Sequence, residues 1–219
     1  MYKKVKIYAI FTILILIVLF ALLTFVRTKD VYFELEKIHL KNILNQDYSG
    51  YEGYYVYFYK KDCPFCKKLE EDILTLNDKS KLFIVDTEKI YNKTKSYDWE
   101  KDIHNLKKIG TINEFGEITY IDGESKEKYM NISKTNKYGK ALRYEFINIT
   151  KDNHKVYEDF KIGDVCVKMF IPEIDYGNVV DSKELILAGV PSLFYIQDGR
   201  IKEFYFDTIE IQELIKNDL

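Results

Sequence analysis

A strand that runs straight into a Cys-x-x-Cys corner constrains this chain more than any other feature. Residues 54–59, Tyr-Tyr-Val-Tyr-Phe-Tyr, are aromatic and β-branched without polar alternation, which predicts a strand covered on both faces. Cys63-Pro64-Phe65-Cys66 follows, and then Leu69, Ile73, Leu74 and Leu76 recur at helical spacing. The cysteines therefore stand at a strand-to-helix corner. The first turn of a helix carries unpaired N–H groups and partial positive charge, both favouring a thiolate, so Cys63 is placed to react. Pro64 suits the first helical position because its missing N–H has no partner to lose there. Cys66 lies one turn deeper on the same face, within reach of a mixed disulfide at Cys63. After the polar Asn77-Asp78-Lys79-Ser80, residues 81–86 read as a second strand, so 54–86 form a βαβ unit whose crossover makes the neighbouring strand parallel.

The run from Ile7 to Val26 is uncharged, almost wholly apolar and about as long as one membrane crossing requires. Lys3, Lys4 and Lys6 precede it, no small-x-small cleavage site ends it, and no cysteine offers lipid attachment. The expectation is an uncleaved anchor that contacts membrane lipid through Ile7 to Val26, preceded by a cytoplasmic tail over residues 1–6. A short basic tail before a long domain favours an exported domain. The protein is thus expected at the cell membrane, single-pass, with its C-terminal domain extracytoplasmic. Residues 27–50 form an amphipathic linker or first helix, with Val31, Leu35, Ile38 and Leu44 as its apolar positions.

Residues 51–219 then form one domain, with an inserted subdomain of mixed, partly β character over about 87–181. Within the insertion, residues 97–108 suggest a helix carrying Trp99, Ile103 and Leu106, and residues 115–123, 142–149 and 165–171 suggest strands. Near the end, Gly189-Val190-Pro191-Ser192 leads to a strand, an Asp198-Gly199 turn and a second strand, which make a β-hairpin. Asp207 with Glu210 signals the start of a closing helix.

Two separated pieces, residues 55–86 with the Cys-x-x-Cys corner and residues 189–214 with Gly189-Val190-Pro191 and the hairpin, resemble the thioredoxin-like superfamily. The resemblance implies an α/β class chain with a thioredoxin-like fold, a central mixed β-sheet flanked by helices, carrying a long mixed insertion and preceded by one transmembrane helix. It implies Cys63 and Cys66 as catalytic residues of a thiol–disulfide oxidoreductase acting on protein substrates with thiols or disulfides. It also implies a cis Pro191 facing the cysteines, and a substrate chain held by Val190 and Pro191 beside Pro64 and Phe65. No cofactor is implied, and a membrane redox partner would fit. The layout is similar to membrane-anchored bacteriocin-transport accessory proteins of Gram-positive bacteria. Three features depart from the family pattern: the long interval from Cys66 to Pro191, Asp62 where an aromatic residue often stands, and Tyr57 where many members carry a buried carboxylate.

An alternative keeps the fold without turnover, as an accessory or copper-handling module that uses the two thiols as ligands. A purely structural membrane protein is the third reading. His39, His104 and His154 are scattered and supply no second ligand pair, so no metal site is assigned. Cys166, between Val165 and Val167, reads as a semi-buried structural thiol, with a third redox thiol or a soft-metal ligand alongside Met169 as the sharper reading. A net charge of −2 with interspersed signs gives no electrostatic footprint for nucleic acid, and no glycine-rich loop suggests a nucleotide.

Overall fold

The computed structural model describes residue 15 and residues 31–100, 105–130 and 134–217. Its centre is a four-stranded sheet in the order β10-β9-β1-β2. Strand β1 is Tyr54–Tyr59 and β2 is Leu82–Asp86, paired in parallel. Strands β9, Ser192–Gln197, and β10, Arg200–Phe206, add an antiparallel hairpin on the other side of β1. Asp198 and Gly199 both have positive φ at the turn, the conformation that favours Asp-Gly there.

Both faces of this sheet are covered, which is why β1 can be apolar at nearly every position. On one face, Tyr57, Tyr59, Leu82, Ile84 and Leu193 pack under three helices: α1, Pro64–Lys67; α2, Glu70–Lys79; and α4, Asp207–Asn217. Leu69, Ile73 and Leu76 supply the inward stripe of α2, and Ile211, Leu214 and Ile215 that of α4. On the opposite face, Val56, Phe58, Phe83, Val85, Phe194 and Phe204 pack against Leu40, Ile43, Leu44, Tyr176 and Leu185 from short 3-10 turns and the chain beside them. The α-helices thus cover one face only.

A second, all-antiparallel sheet in the order β5-β4-β7-β6 comes from residues between β2 and β9. Its strands are β4, Lys107–Ile112; β5, Ile118–Tyr120; β6, Tyr144–Asn148; and β7, Asp164–Met169. The two-residue strands β3, Lys95–Ser96, and β8, Ile186–Leu187, make a small parallel ribbon. A short helix, α3, Lys126–Met130, lies between β5 and β6. The expectation of one central mixed sheet is therefore corrected: the described residues form two four-stranded sheets and a ribbon. The strands between β2 and β9 pair with one another instead of extending the first sheet.

Two further expectations change. Residues 31–44 form no amphipathic helix but two 3-10 turns, Val31–Glu34 and Leu40–Asn42, separated by extended chain. Lys37 bridges to Ile84, with Ile38 N–H donating to the Ile84 carbonyl and Ile84 N–H to the Glu36 carbonyl. Pairing with the open side of β2 satisfies backbone groups that a helix would have paired internally. Residues 97–108 do not form one helix either, since Lys107 and Lys108 belong to β4 and residues 101–104 lie outside the described residues. Trp99 instead packs its ring on Phe170 and Phe206 and donates its indole N–H to the Ala188 carbonyl.

The expected transmembrane segment, residues 7–26, falls outside the described residues apart from Ile15. Among the described residues no helix is long and apolar enough to cross a membrane. The single-pass extracytoplasmic placement and the lipid contact through Ile7 to Val26 are withdrawn on that finding.

At the link between β5 and α3, the Glu124 carboxylate receives Lys107 at 2.6 Å, the Tyr129 hydroxyl at 2.6 Å and Lys128 at 3.1 Å. These donors, Lys107 first, pull its pKa down to about 2. The folded state therefore holds fewer protons here than the unfolded chain as pH falls below the ordinary carboxylate range of about 4.3. The contribution is present above that range and is lost as pH falls toward 2. Thermal melts between pH 5 and pH 2 should show a falling midpoint, and Glu124→Gln should flatten that dependence.

Candidate functional site

The chain leaves β1 through Lys60, Lys61 and Asp62 and enters α1 with Cys63 as its N-cap, in extended conformation at φ −74° and ψ 116°. Pro64 occupies the first helical position, as its ring geometry favours. The Cys63 sulfur accepts the Cys66 N–H at 3.2 Å, so negative charge developing on that sulfur meets a backbone donor. The Cys63 thiol itself points at the Val190 carbonyl, 3.6 Å away and 127 positions along the chain. Cys63 is half-buried, Cys66 is buried at 1 % exposure, and both are free thiols.

The opposing wall is built by the segment leading into β9. The Val190–Pro191 bond is cis. Ser192 Oγ donates to the Gly189 carbonyl at 2.8 Å and Asp207 N–H to the Pro191 carbonyl at 3.3 Å, so the turn is tied both to itself and to the start of α4. Phe65 stands 57 % exposed at the rim, with the Lys68 ammonium 5.5 Å from its ring centre. Cys63, Cys66, Val190 and Pro191 are thus gathered at one place, with Pro64 and Phe65 exposed beside them.

The two thiols occupy different environments. Burial, with the neighbouring Cys63 second, pushes the Cys66 thiol up to about 12. Cys66 packs among Leu69, Ile73, Leu193, Ile211, Tyr32, Tyr57 and Tyr59. Tyr32 donates its hydroxyl to the Cys66 carbonyl at 3.2 Å. That contact was not foreseen in the sequence, because residues 31–34 carry no motif pointing to the cysteines.

Cys166 lies elsewhere, fully buried on β7 in a cluster with Leu106, Ile147 and Ile149. Burial and then the Asp164 carboxylate push its thiol up to about 11. Its position agrees with a structural thiol more deeply buried than the strand pattern suggested.

Among the described residues, no group of three or more His, Cys, Asp or Glu side chains could hold a metal ion. The copper-handling alternative thus has no third ligand beside Cys63 and Cys66 among the described residues and is not carried further. The reading as a membrane-anchored extracytoplasmic oxidoreductase is corrected as well: no membrane-crossing helix occurs among the described residues, and no disulfide links Cys63 to Cys66. The chain matches no protein-family model, no curated protein and no solved structure, so the expected membership of the thioredoxin-like superfamily and the likeness to bacteriocin-transport accessory proteins are withdrawn for want of any match.

Proposed function

We propose that the chain is a thiol–disulfide oxidoreductase whose reactive sulfur is Cys63, without any membrane tether in the proposal. The observation that carries it is the bracketing of one half-exposed sulfur between a backbone N–H and the Val190 carbonyl, with a second thiol buried directly behind. Ionised Cys63 attacks one sulfur of a substrate disulfide, forming a new S–S bond and releasing the other sulfur as a thiolate that takes up a proton. Cys66 then attacks Cys63, the Cys63–Cys66 bond forms, and the second substrate sulfur leaves as a thiol. Two protein thiols are oxidised and one substrate disulfide is reduced. The same steps reversed oxidise a dithiol. Val190 and Pro191 border the attacked sulfur, and Phe65 offers an apolar lip.

Cys66→Ser tests this directly. Incubated with glutathione disulfide, that variant should accumulate one glutathione on Cys63, visible by mass spectrometry and removed by dithiothreitol. The wild type should pass on to an internal disulfide, and Cys63→Ser should carry no adduct. Absence of any adduct on Cys66→Ser would sink the proposal.

A further inference from the structure

Behind Cys66 lies a hydroxyl that completes no hydrogen bond. Tyr57 is fully buried on β1, and among the described residues its phenolic oxygen has no partner of normal geometry. It nevertheless sits beside the Cys66 thiol and the Tyr32 phenol, near enough to interact electrostatically with both. A buried polar group without a partner is costly and rare, and it calls for a reason in the state where it does find one.

We infer that the Tyr57 hydroxyl is the hydrogen-bond donor to the Cys66 sulfur when that sulfur becomes the attacking thiolate. This rests on the exchange reading above. The groups around Cys66 leave few other candidates. Tyr32 spends its hydroxyl proton on the Cys66 carbonyl, and Cys63 carries the bond under attack. Tyr59 stacks its ring on Tyr57, α4 contributes Ile211 and β9 contributes Leu193. The Lys60 backbone also reaches the Cys66 thiol, as the one main-chain group beside the phenol. Burial keeps the Tyr57 phenol protonated far above the ordinary tyrosine range, so it can still donate at any pH where Cys66 ionises. Donation to the thiolate favours the charged form and works against the burial that pushes Cys66 up.

The balance is simple. Cys66 gives its proton to water, its sulfur bonds to Cys63, the Cys63–substrate bond breaks, and the departing sulfur takes a proton back from water, so no net proton is gained or lost. Tyr57 keeps its own proton throughout and supplies only the hydrogen bond.

The test separates the two steps with a chromogenic aromatic disulfide. The first aromatic thiolate released reports attack by Cys63, and the second reports attack by Cys66. Tyr57→Phe should leave the first release unchanged and slow the second by about 10- to 100-fold, the size of a hydrogen bond to a charged group. The pH profile of the second release should move to higher pH. The melting temperature should be unchanged or higher, since the hydroxyl removed has no folded-state partner. An unchanged second release, or a melting temperature below that of wild type, would overturn the inference. Failure of the wild type to give even the first release would overturn the exchange reading as well.

Discussion

Cys63→Ser should reduce disulfide exchange by about 10³-fold or more, because a serine hydroxyl is not ionised near neutral pH and does not attack a disulfide. Stability should barely respond. The sulfur is half-exposed, and its two contacts, with the Cys66 amide and the Val190 carbonyl, can be taken over by a hydroxyl. A change within about 0.5 kcal/mol is expected. Cys66→Ser should behave in the opposite way by calorimetry. Its hydroxyl would enter a pocket lined by Leu69, Ile73 and Ile211 with the Tyr57 hydroxyl beside it, and a loss of about 1–2 kcal/mol is expected. Measuring both variants for turnover and for melting therefore separates a reactive sulfur from a packed one. If Cys63→Ser retained exchange, the site would have been assigned to the wrong residue.

Glu210→Ala should be the most destabilising of these substitutions, by about 3–5 kcal/mol. Glu210 is only 9 % exposed and works in two directions. One carboxylate oxygen accepts the Phe206 N–H at 2.7 Å, while Asp207 Oδ1 accepts the N–H groups of Ile209 and Glu210, which together cap the start of α4. The same carboxylate meets Lys140 at 3.3 Å and Arg143 at 3.6 Å, and Arg143 also pairs with Asp207. Alanine would leave a buried N–H unpaired and two cations short of an anion. Glu210→Gln keeps an oxygen for the Phe206 N–H and removes only the charge. Urea titration of the two variants should therefore show the glutamine form clearly above the alanine form. Equal losses would mean that the cap contributes nothing beyond the ion pairs.

The parts of the fold readable from sequence are those whose signals are local. The βαβ unit follows from an apolar strand, a Pro64-started helix and a polar turn before residues 81–86. The closing hairpin follows from Asp198-Gly199, and the last helix from Asp207 and Glu210. Residues 31–44 mislead because their apolar spacing suits a helix, whereas their backbone is claimed by Ile84, some 47 positions away. Strand segments at 118–120, 144–148 and 164–169 can be suspected from β-branched and aromatic content, but the order β5-β4-β7-β6 depends on pairings no local pattern encodes. At the site, the cysteines stand out by residue type, whereas Val190-Pro191 is singled out only by the resemblance to thioredoxin-like proteins. The Tyr32 and Tyr57 hydroxyls behind Cys66 do not stand out, because tyrosine is abundant throughout the chain and looks like ordinary packing until coordinates place it.

The first sheet has two outer strands, and each is contacted at one point on its outer margin. Beside β2, residues 36–38 occupy the backbone groups of Ile84. Beside β10, the Lys140 ammonium binds the Phe204 carbonyl and sets a positive charge where another chain would have to add its own strand. Strand addition from a second copy would have to displace peptide on one margin and desolvate a cation on the other. The sheet at the heart of the molecule is thereby guarded against templated aggregation, and concentrated solutions of the folded protein should resist fibre growth from this sheet.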